Sequence, residues 1–152
     1  MSAPSLSAQA IAKGADGGPL PPGALLRLQV VKVAGDGCGS NHRLLLTQGG
    51  AVFLQENRAA DCANRPPGSA FNTPFDQRPR ATLGAEPLDA LRAALLALRA
   101  TPAVTSAAQK DGAIQVLDAD LGGAPLRRVG LQGACPQLDA VVELLWRLLY
   151  PR

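Results

Sequence analysis

Arg43-Leu-Leu-Leu-Thr-Gln-Gly-Gly-Ala-Val-Phe-Leu-Gln55 is the stretch on which the fold turns. Two apolar runs, Arg43 to Thr47 and Ala51 to Gln55, flank Gln48-Gly49-Gly50, and glycine supplies the positive φ that a tight hairpin turn requires. The stretch predicts two antiparallel strands. Upstream, Leu25 to Val33 alternates with one slip at Val30-Val31, which predicts a first strand carrying a bulge there. Downstream, Ala113 to Ala119 and Leu126 to Leu131 bracket Asp120-Leu121-Gly122-Gly123 as a second hairpin.

Two segments change period. From Pro87, a residue tolerated in the first turn of a helix, Leu88, Leu91, Leu95 and Leu98 recur at helical spacing, and the pattern stops before Pro102. A last helix is predicted from Pro136 through Leu149, with Leu138, Val142, Leu145 and Leu149 on one stripe. Asp139 near its start and Arg147 near its end suit the helix dipole. The order β-ββ-α-ββ-α predicts an α+β domain: an antiparallel sheet of about five strands with two amphipathic helices packed on one face.

The 152 residues fit one domain. Residues 24–152 are expected to form it, behind a leader, Met1 to Gly23, whose Ser, Ala, Gly and Pro offer too little apolar surface to repay ordering. Hydrophobic residues make up 47% of the chain but include only three Phe, one Trp and one Tyr, so the core must be aliphatic. No apolar run approaches the roughly 18 residues of a membrane-spanning helix. The leader lacks the apolar centre of a secretory signal. A periplasmic or secreted location is the expectation if a signal precedes Ser2, and a cytoplasmic one otherwise. The formal net charge of +3 falls short of the dense basic stripe of a nucleic-acid binder, so no nucleic-acid partner is expected.

The chemistry-bearing residues are few. Gly-x-Ser-x-Gly, a Walker lysine motif and His-Glu-x-x-His do not occur, and Gly35-Asp36-Gly37-Cys38-Gly39 leads into a strand, where a phosphate loop would lead into a helix. Three cysteines and one histidine lack zinc-site spacing. No cofactor or metal is expected. Cys38 and Cys62 fall almost opposite each other about a turn centred on Gly49-Gly50, which suits a disulfide at the open end of the hairpin; two unpaired thiols are the alternative. Cys135 precedes Pro136 at a helix start, where the dipole favours a thiolate. With His42, the sole histidine, it offers a thiol enzyme or redox protein as the competing function. Against that stand a small buried cysteine and a surface histidine.

Asn57 to Glu86 carries Pro66-Pro67-Gly68, Pro74 and Pro79 without strand or helix periodicity, an unusually long loop. It holds Phe71 and Phe75 among Arg58, Arg65, Arg78 and Arg80. Phe71, Phe75, Arg78 and Arg80 are the expected contact surface for a protein partner; the competing reading folds both rings back over the sheet edge. The segment from Pro87 onward, with its helix, the hairpin Ala113 to Leu131 and the helix from Pro136 after Gly133-Ala134-Cys135, resembles small bacterial domains of the emfourin type. That family includes proteinaceous inhibitors of thermolysin-like metallopeptidases. The chain departs from it in its leader and its Pro-rich loop, and no inhibitory residue transfers by position. The resemblance implies a non-enzymatic binding or inhibitor module.

Overall fold

A strand covered on both faces needs apolar or paired side chains on both, and the first strand meets that condition. In the computed structural model, which describes residues 20–32, 37–64, 71, 73–102, 113–133 and 135–150, β1 (Ala24–Lys32) lies inside one antiparallel sheet. The other strands are β2 (His42–Thr47), β3 (Ala51–Glu56), β4 (Ala81–Thr82), β5 (Ala113–Asp120) and β6 (Pro125–Leu131), in the order β4-β3-β2-β1-β5-β6. Among the described residues two α-helices, α1 (Ala85–Ala100) and α2 (Pro136–Leu149), complete the α+β fold. The expected leader lies, through residue 19, outside the described residues. Leu20 to Gly23 are described: the Ala24 amide donates to the Pro21 carbonyl, and Leu20 packs beside Leu45, Phe53 and Phe75.

The sheet has six strands where about five are expected. The addition is β4, two residues inside the proline-rich loop that pair with Ala51 and Val52 at the edge of β3. A pair that short has no period to read. The bulge also moves. β1 pairs without interruption through Val30 and Val31, and its irregularity falls between Ala24 and Leu26. Val30-Val31 breaks the alternation because both faces of β1 are covered.

One face carries the aliphatic core. Leu26, Leu28, Leu44, Leu46, Val52, Leu54 and Leu117 join Leu88, Leu91, Leu95 and Leu98 of α1 and Leu138, Val141, Val142 and Leu145 of α2 in a single cluster. Helix α1 starts at Ala85, two residues before the expected Pro87, which therefore sits in the first turn, where the helix has no use for its missing N–H. Gly50 fixes where α1 begins. Its φ is +102°, and a Cβ there would run into the Leu83 carbonyl oxygen and the Leu88 side chain. Gln48 ties the same turn to the rest of the sheet, its side-chain amide donating to the carbonyls of Ala24 (3.2 Å) and Asp120 (3.1 Å) while its backbone carbonyl accepts from Arg92 of α1 (2.8 Å).

The second face carries charged side chains, and several of them are buried. Arg27 is fully buried and pairs at 3.0 Å with Asp118, its neighbour across β1 and β5; Arg127 of β6 holds the other carboxylate oxygen at 2.9 Å. Farther along, the loop lies on β2 and β3. The Arg43 guanidinium stands 4.3 Å from the Phe71 ring centre and 4.6 Å from that of Phe75, and donates to the Thr73 carbonyl.

Candidate functional site

Cross-strand register places His42 beside Val30, Val30 beside Gln115, and Gln115 beside Gly130. These four positions form one row across β2, β1, β5 and β6, and α2 spans it. At the β6 end the approach is tight: a Cβ on Gly130 would lie 2.5 Å from Cys135 Sγ and 3.2 Å from its Cβ. At the β2 end the helix stands off, and Trp146 meets the His42 ring edge-on at 5.6 Å. Between them a groove of about 510 Å³ opens, lined by Val30, His42, Gln115, Asp139, Glu143 and Trp146 among others. It adjoins a second hollow of about 470 Å³ bounded by Glu143, Trp146, Arg147 and Tyr150.

The chain's only Trp, only Tyr and only His meet at this corner, since Tyr150 stacks on Trp146 at 6.1 Å and is half exposed. The helical repeat produces the arrangement. Asp139, Glu143 and Trp146 follow at steps of four and three residues on one face of α2, beside the stripe that enters the core, and Tyr150 caps the helix four residues after Trp146.

Several side chains bring acceptors to the lining. His42 Nδ1 lies 2.9 Å from the Ser40 carbonyl oxygen, which only accepts, so the proton sits on Nδ1 and Nε2 carries the lone pair in neutral imidazole. Gln115 is 1% exposed, and its Oε1 is buried without a hydrogen-bond partner. The Asp139 carboxylate accepts the Gly133 amide at 3.1 and 3.2 Å, fastening the turn before α2. Glu143 reaches Arg147 at 2.9 Å, with both side chains largely in solvent.

The residues singled out from sequence are placed elsewhere. Phe71 and Phe75 are each 5% exposed and lie against Arg43, so the loop is folded back over the sheet and the two rings are covered. Arg78 and Arg80 are exposed, and Arg80 pairs with Asp76 at 3.0 Å. Cys135 is a free thiol in the core cluster. The hollow beside it holds about 20 Å³, and it and His42 line different cavities. Cys38 and Cys62 lie in two short 3-10 helices, Gly37–Ser40 and Ala59–Asn64, that pack together: a Cβ on Gly39 would stand 3.1 Å from that of Ala59. Among the described residues, no three of His, Cys, Asp and Glu gather closely enough to hold a metal ion, and no helix is long and apolar enough to cross a membrane.

Trp146, Tyr150, Glu143, Asp139 and Gln115 were not legible as a site from spacing alone. The available signal was the second face of α2, where the rare aromatics recur with carboxylates. In comparisons with known proteins, no family model matches the chain and no curated protein matches it.

Proposed function

We propose that the protein is a small non-enzymatic binding module whose contact site is the groove between α2 and the His42 end of the sheet. The observation that carries this reading is the meeting of the sole His, Trp and Tyr around two adjoining hollows, in a chain with 3% aromatic residues. Aromatic side chains with one polar edge supply much of the binding energy at protein contacts. Exposed Arg78 and Arg80 offer a partner a second surface, apart from the groove, whereas Phe71 and Phe75 serve the loop. The test is a double variant, His42→Ala with Tyr150→Ala. Neither side chain is buried, so thermal stability is expected to stay within about 2 °C of the parent, while a partner cross-linked to the parent is lost. Equal capture by parent and variant would remove the groove as the contact site.

The emfourin resemblance adds an inhibitor version of the same reading. It is tested by adding the protein in stoichiometric amount to a thermolysin-type metallopeptidase. Slowed peptide hydrolysis supports inhibition; an unchanged rate sets the inhibitor version aside.

The reading extends to a disulfide between Cys38 and Cys62. Support comes from the packing of their 3-10 helices, which brings Gly39 beside Ala59. Closing a loop of this length stabilises a fold by roughly 3 kcal/mol on the chain-entropy model, and such a bond belongs to an oxidising compartment. Alkylation of the unfolded, unreduced protein is expected to label one cysteine, and three after reduction. Three labels without reduction would end the proposal.

A further inference from the structure

We propose that the groove takes an arginine side chain presented by a partner protein. This rests on the binding-module reading and names what the site recognises. The lining residues carry several acceptors: Gln115 Oε1, His42 Nε2, and the carboxylates of Asp139 and Glu143. The Gln115 oxygen is the telling one. A buried carbonyl oxygen left unpaired costs free energy that an arriving N–H recovers. The Trp146 face adds attraction for a cation laid against it. A guanidinium satisfies all of these together, because it is planar, permanently charged and carries five N–H donors in a fixed fork. Lysine offers a compact, strongly hydrated charge that stacks less well on an indole.

The protein already holds a weak version of the proposed contact. Arg147, one helical turn beyond Glu143, donates to its carboxylate at 2.9 Å from the neighbouring hollow. An incoming arginine therefore shares or displaces an exposed intramolecular partner, one whose pair with Glu143 is worth at most about 1 kcal/mol.

The experiment uses the single tryptophan as its reporter. Acetyl-Gly-Gly-Arg-Gly-Gly-amide is titrated into the full chain while Trp146 emission is followed. The same peptide with citrulline, neutral and nearly isosteric, and with lysine, supply the other arms. A saturable change with the arginine peptide is expected, with citrulline at least about 10-fold weaker and lysine between them. Glu143→Gln is expected to weaken the arginine peptide about threefold or more, and Arg147→Gln to strengthen it, a gain that a damaged fold would not give. Citrulline binding as well as arginine, no saturable response to arginine, or Arg147→Gln weakening the complex would each overturn the inference. The His42 and Tyr150 double variant judges the contact site separately, so loss of a protein partner there with no arginine response retires only the arginine.

Discussion

Arg43 organises the proline-rich loop from beneath, which reverses the role that the loop's aromatics suggest in sequence. Its guanidinium lies between Phe71 and Phe75, and Thr73 between them bonds to Gln55 and to the Glu56 carbonyl. Phe75→Ala is therefore expected to cost about 3 kcal/mol or more in urea unfolding, because it opens a cavity beside Leu45 and Phe53 and strips one face from a covered cation. Arg78→Gln is expected to change stability by less than about 0.5 kcal/mol. On the same face, Asp118→Asn should exceed Arg127→Gln by several-fold, since the first leaves the buried Arg27 facing a neutral partner and the second removes a half-exposed arm. Neither Arg27 nor Arg43 looks buried in sequence. The partner that makes Arg27 tolerable is 91 residues away, beyond any local pattern.

At the scale of elements, the strands and helices that follow a period were readable, and the contacts that position them were not. The leucines of α1 and the Gly49-Gly50 turn announce themselves within one or two turns of chain. The closeness of α2 to β6 depends on Gly130, which in sequence is an unremarkable glycine between Val129 and Leu131. Gly130→Ala is expected to destabilise by about 1 to 3 kcal/mol by pressing a methyl group into Cys135, and Cys135→Ala should return part of that loss. Additive effects in a double-mutant cycle would argue against this packing. The groove lies at the other end of the cross-strand row that includes Gly130, where Trp146 meets His42. Its residues come from three strands and a helix, which is why the corner escaped a reading made segment by segment, although the aromatic and acidic face of α2 was in view.

For the molecule as a whole, the two faces of the sheet are covered by different means, leucine-rich helices on one and, on the other, a buried charge pair on β1 and β5 and the loop lying on β2 and β3. Amide exchange followed by mass spectrometry is expected to be slowest in β1, inside the sheet with both faces covered, and much faster in β4, a two-residue edge. Equal protection would contradict the layered arrangement. The α+β class was legible because it follows from element order. The covering of the second face was not, since it needs the loop's path in space. The position of β1 also bears on synthesis. Its neighbours are β2, made soon after it, and β5, made some eighty residues later. As the chain leaves the ribosome, β1 to β3 can pair, but one long edge of β1, carrying Leu26, Leu28 and Val30, stays open until Ala113 to Asp120 arrives. For that interval the nascent chain exposes the kind of strand that recruits strangers, and the late strand acts as the closing step that makes the product safe to release.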